Sequence, residues 1–178
     1  PIPKWFVERE IAEIEEVSVF LGDIDGEDGS VLRIQQDNGE WFARNLTTDD
    51  ENRPLDTDKW ADLLPFMTGP PDILVENPRI EDRDYTRWGI EESGPSIEIR
   101  FRGITDRGTS FIDGILYRMG DKTEDGLHYY ATSASDQIIN PVLKLDAEWT
   151  EMMYALFDDV PYGDTSGAAL GADLKPAG

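Results

Sequence analysis

Apolar and polar residues alternate along most of this chain, most clearly between Tyr85 and Thr132, where Ile97, Ile99 and Phe101 interleave with Glu98, Arg100 and Arg102. A period of two sends one set of side chains into a core and the other towards solvent. Turn-forming runs at residues 93–95, 105–108 and 121–126 divide this region and predict four strands in a meander. In the third, residues 111–119, Gly114 predicts a bulge or a close backbone approach.

Upstream, Val7, Ile11 and Ile14 recur at the i, i+4, i+7 spacing among Glu and Arg, which predicts a helix over residues 4–16. Residues 17–22 and 30–35 flank a turn rich in Asp and Gly and predict a hairpin. Asn38-Gly39 predicts a second tight turn into a strand at residues 40–44. Residues 47–58 read as a long polar loop before a short helix at 59–64, which Pro65 helps to end. A break at Gly69-Pro70-Pro71 precedes a strand at 72–76.

Near the C-terminus, Asp146 is placed to cap a helix over residues 147–157 whose Trp149, Met152, Met153 and Leu156 share one face, the spacing of ordinary core. Residues 160–178 are small and rich in Gly and Ala, too poor in apolar anchors to fold alone. The expectation is one α+β domain, residues 1–159, mainly antiparallel β and arranged as a barrel or sandwich of about seven to eight strands. An N-terminal helix, a C-terminal helix and an extended C-terminal arm complete it. Leu170, Leu174 and Pro176 are the arm's candidates for contact with a partner.

Composition then narrows the function. The 178 residues include 38 Asp and Glu against 16 Lys and Arg, a net charge of -22. No cysteine is present, which removes disulfides, Cys-ligated metals and thiol nucleophiles. The single histidine, His128, removes multi-His metal sites and reads as a strand residue. No apolar run reaches the ~18 residues of a membrane-spanning helix. The acidic start lacks the basic and apolar regions of a signal peptide, so the expectation is cytoplasmic synthesis, with the leading proline left by removal of an initiator methionine.

The acids are spread along the sequence, with net -13 over residues 1–89 and -9 over residues 90–178, and no basic stripe is available to collect phosphates. Asp exceeds Glu by 22 to 16 and Arg exceeds Lys by 11 to 5, a bias that fits a surface adapted to high salt. A sharper alternative is an acidic inhibitor, a DNA mimic or immunity-type protein whose carboxylates block a basic nucleic-acid-binding enzyme.

Candidate chemistry is sparse. Asp23, Asp25, Glu27 and Asp28 offer oxygen ligands for Ca²⁺ or Mg²⁺, though position six of the loop is Asp28 and position twelve Ile34, unlike an EF-hand. A second acidic cluster at Asp49, Asp50, Glu51, Asp56 and Asp58 has nothing to fix its geometry. Carboxylate pairs for glycoside hydrolysis lose specificity among 38 acids. Neither a phosphate-binding glycine loop nor a Gly-x-Ser-x-Gly elbow occurs. The expectation is therefore a non-enzymatic structural subunit without a cofactor. It would assemble as a homo-oligomer or with neighbouring subunits, bind neither nucleic acid nor membrane, and serve as a neck, tail-tube or minor capsid component of a tailed virion.

Overall fold

The structure is a computed structural model that describes residues 9–22, 29–48, 50–134 and 140–164. Its strands are β1 (Ile14–Phe20), β2 (Val31–Asp37), β3 (Glu40–Asn45), β4 (Arg53–Pro54), β5 (Ile73–Asn77), β6 (Ser96–Ile104), β7 (Ser110–Lys122), β8 (His128–Ala134) and β9 (Val142–Asp146). Helices α1 (Thr57–Leu63) and α2 (Ala147–Ala155) are both short. All nine strands form one antiparallel sheet in the order β4-β3-β2-β1-β6-β7-β8-β9-β5.

The expected barrel or sandwich of seven to eight strands is replaced by this open sheet of nine, whose edges β4 and β5 remain apart. Alternation reports that one face is buried and not what buries it. Here the cover is helical: Trp60 of α1 and Trp149, Met153 and Leu156 around α2 pack on Val17, Ile34, Ile99 and Ile115 of the sheet's inner face. Burying side chains of this size stabilises by about 1.5–3 kcal/mol each. Trp149 also donates its indole N–H to the Phe66 carbonyl at 2.8 Å, so its one polar group is satisfied inside the core.

Several expected elements appear with small shifts. The Asn38-Gly39 turn has both residues at positive φ, 51° and 86°, the geometry that twists a two-residue hairpin to match its strands. Asp56 caps α1 by accepting from the Asp58 and Lys59 amides, and Asp146 caps α2 by accepting from Trp149 N at 2.8 Å. His128 opens β8.

The N-terminal helix is corrected. Of the expected helix, residues 9–16 are described, and there Ile11–Glu13 forms a 3₁₀ turn and Ile14 begins β1. A bulge in β1 between Ile14 and Glu16 shifts the pairing with β6, so that Ile14 and Val17 both face the core although three apart. That spacing imitates a helix.

The first of the four meander strands is corrected too. Residues 78–95 form a strap across the outer face, with a single 3₁₀ turn at Thr86–Trp88. Ile80 and Ile90 pack there with Val142, flanked by Tyr85, Trp88 and Tyr130. The other three strands are β6, β7 and β8. Gly114 lies opposite Arg100 in regular register, and the irregularity of β7 falls instead between Met119 and Lys122. Strands β4 and β9 lie where no strand is expected; β9 buries Leu143 and Leu145 in the main core and Val142 under the strap.

Candidate functional site

The sheet registers carry Arg33, Arg44, Arg100, Arg102, Arg118 and Lys144 to the outer face, opposite the helices. At its centre Glu16 is only 8% exposed. It accepts from Gln35 Nε2 at 2.9 Å and Ser18 Oγ at 3.1 Å, with Arg33 Nε at 3.6 Å and Arg100 Nη1 at 3.9 Å. Arg102 reaches Glu15 at 2.6 Å, and this pair holds the guanidinium pKa above its usual range. Residues 50–64 and 146–164, which hold α1 and α2, contain eleven acids and two bases, while the strap on the outer face, residues 78–95, contains five acids and three bases.

Between the strap and the sheet lies a cavity of about 670 Å³. Arg118 from β7 and Thr132 from β8 line its sheet side, Asn140 its end, and Arg83, Tyr85 and Ile90 the strap side. The strap is held by the Tyr85 hydroxyl, which donates to the Asn140 carbonyl at 2.9 Å and accepts from the Asn140 amide at 3.3 Å. Asp84 accepts from the Thr86 hydroxyl at 2.5 Å and from its amide, contacts that lower the carboxyl pKa. Arg87 lies over the Trp88 ring at 4.1 Å and within 3.6 Å of Asp82. A second hollow of about 370 Å³ lies by the β4 edge, lined by Trp41, Phe42 and Trp60, with Glu40 as its one carboxylate.

At the other end of the sheet β6 and β7 outrun their neighbours. Among the described residues, pairing of β1 with β6 stops at Phe101 and pairing of β8 with β7 starts at Leu116, so residues 102–114 continue as a two-stranded ribbon. Ile104, Phe111 and Ile112 are exposed on it, Ile104 by 74%. The β5 edge carries exposed Leu74 and Val75 between Asp72 and Glu76.

The candidates from sequence are distributed otherwise. Asp23, Asp25, Glu27 and Asp28, and the arm residues Leu170, Leu174 and Pro176, lie outside the described residues. Of the second acidic cluster, Asp50 accepts from the Thr48 hydroxyl at 2.6 Å and Asp56 caps α1, while Asp49 is outside the described residues. Among the described residues no group of three His, Asp or Glu is placed to hold a metal, and no helix is long and apolar enough to cross a membrane. The arm's first residues, through Asp164, lie against this same domain: Tyr162 bridges to Leu55 and stacks under Arg53 at 3.9 Å. Trp149, Met153 and Leu156 are core, as their spacing predicts.

Sequence reasoning did not find the cavity or the ribbon. The ribbon had a signal, since Ile104, Phe111 and Ile112 break the in-out alternation beside the Thr105–Gly108 turn. The cavity had none, because residues 83–92 and Arg118 meet only through tertiary packing. No protein-family model, no curated protein and no solved structure matches this chain.

Proposed function

We propose that this chain is a non-enzymatic structural subunit of a large assembly, joined by pairing of the β6–β7 ribbon of one copy with the β5 edge of the next. The observation that carries the reading is the ribbon itself: strands whose outer edges have no partner among the described residues, with Ile104, Phe111 and Ile112 exposed. Exposed strand edges template pairing with another chain unless they are blunted. The two surfaces match mainly in exposed apolar side chains on strand edges, with Arg107 at the ribbon tip and Asp72 beside Leu74 and Val75 of β5 as the charges left to meet. A contact between two different patches is heterologous, and it closes into a ring or continues as a filament. In its narrower form the reading is a neck, tail-tube or minor capsid component of a tailed virion from a salt-rich cytoplasm. Size, β-rich architecture and the acidic composition support that form.

Light scattering on the full-length chain, in low and in molar salt, tests the reading. The expected result is an oligomer that the double substitution Ile104→Lys and Ile112→Lys reduces to a folded monomer. A wild-type monomer in both salts would remove it.

One observation favours a second reading, the acidic inhibitor. The segments that hold the helices, with eleven acids and two bases over residues 50–64 and 146–164, supply carboxylates for a basic enzyme. Affinity for a basic nuclease that collapses with added salt would support it, and no affinity at low salt would exclude it.

A further inference from the structure

We propose that the cavity between the strap and the sheet binds a small zwitterionic carboxylate of the amino-acid class, with Arg118 and Arg83 receiving the carboxylate and Glu91 and Glu92 receiving the ammonium group. This site is independent of the assembly surfaces. The first argument is size, for about 670 Å³ falls inside the range of about 300–1,000 Å³ usual for small-molecule sites.

The second argument is the state of the arginines. In a chain with 38 acids, most described cations have found a carboxylate: Arg9, Arg33, Arg79, Arg87, Arg100, Arg102, Lys122 and Lys144 all form ion pairs. Lys59 and Arg107 stand free in solvent on α1 and at the ribbon tip. Exposed Arg83 and half-buried Arg118 also lack an ion pair among the described residues, and both line this one cavity, while Arg53 stacks on Tyr162 instead. Arg118 is half-buried on a central strand, flanked in its row by Ser96 and Thr132, neither of which is charged. A guanidinium kept partly from water without an anion forgoes its strongest interaction, a bidentate bond to a carboxylate.

The third argument is conformational. Arg83 has a φ of 54°, a left-handed backbone that costs a non-glycine residue on the order of 1 kcal/mol or more. The fold holds that residue at the cavity although nothing in the strap uses its side chain.

The carboxylates of the lining decide the class of ligand. Asp84 is engaged by Thr86, whereas Glu91 and Glu92 are exposed and bond to neither arginine. Two bases and three acids together repel a polyanion such as a phosphate ester. They complement a molecule that carries both signs, with Ile90 and Tyr85 as the apolar wall for its side chain.

Ligand-observed saturation-transfer NMR on the full-length chain tests the site whatever its oligomeric state. The probes are the common amino acids, with acetate, methylammonium and methyl phosphate as single-charge references. A saturable signal from at least one amino acid is expected, with each reference weaker by about tenfold or more. Arg118→Gln should weaken the amino acid by about tenfold, and the exposed pair Glu91→Gln with Glu92→Gln should weaken the amino acid while sparing acetate. Absence of any saturable amino-acid signal, methyl phosphate binding as tightly, or undiminished binding in folded Arg118→Gln would each overturn the assignment.

Discussion

Gly120 lies directly beneath Trp88, so close that a Cβ on Gly120 would overlap the Trp88 carbonyl oxygen and press on Ile90. This contact is where the strap meets β7, next to the irregularity in that strand's pairing with β8. The missing side chain is therefore what lets backbone approach backbone.

Gly120→Ala is expected to lift the strap and leave the sheet in place. Its cost should be about 1–3 kcal/mol, the usual penalty for overpacking a close contact. Hydrogen exchange checks this: amides near residues 80–92 should exchange faster, while those of β1, β2 and β6 keep their protection. Uniform acceleration across the sheet would mean that strap and sheet unfold as one unit.

Lys122 and Glu151 tie the end of β7 to α2 at 2.6 Å, and Tyr129 donates to the same carboxylate at 3.3 Å. The hydrogen bond from Lys122 lowers the Glu151 pKa from its ordinary 4.5, and its counterpart raises Lys122 from 10.5. A depressed carboxyl pKa contributes stability above the unfolded value that is lost as pH falls through the folded one. A raised ammonium pKa contributes below its unfolded value and is lost as pH rises through the folded one. Melting temperatures of wild type and Glu151→Gln should therefore differ at neutral pH and converge at both extremes. Curves that stay parallel from acid to alkaline pH would contradict the tie.

Asp146 ends β9 and starts α2 in consecutive residues, so its carboxylate fixes the angle at which Trp149 enters the core. Asp146→Ala should cost about 1 kcal/mol, and Asp146→Asn a fraction of that, because Asn caps nearly as well. Urea unfolding of the two variants measures the difference.

These elements show which parts of the molecule were legible from its sequence. The Asn38-Gly39 turn, the Asp146 cap and the Ile97-Ile99-Phe101 alternation are local codes, and each has its expected counterpart. The N-terminal helix misled because a bulge changes phase within β1, and a phase change between Ile14 and Val17 looks like a helical step. Strand β9 hid because it is only five residues long: Leu143-Lys144-Leu145-Asp146 does alternate, but four residues leading straight into a helix cap are too few to stand out. The cavity joins Arg83, Arg118 and Asn140 across long sequence separations, and nothing local marks such a meeting.

Glu16 supports the last prediction, because among the described residues it is the sole carboxylate that both Arg33 and Arg100 approach within ion-pair distance. Its own strand and two neighbours converge on it: Ser18 from β1, Gln35 and Arg33 from β2, and Arg100 from β6. At 8% exposure its desolvation is expensive, and two hydrogen bonds and two guanidinium charges offset that cost. Glu16→Ala removes the acceptor and leaves two guanidiniums facing each other across the middle of the sheet. The full penalty for breaking a buried pair is about 3–5 kcal/mol, and the arginines, each some two-fifths exposed, should bring it nearer to about 2 kcal/mol. Glu16→Gln keeps an acceptor for Gln35 and Ser18 but not the charge, so it should fall between the two. Urea unfolding at low and high salt separates these terms: the Gln variant's deficit should shrink with salt, since screening weakens the repulsion between the arginines. The Ala variant should keep most of its deficit, because salt cannot replace the lost hydrogen bonds.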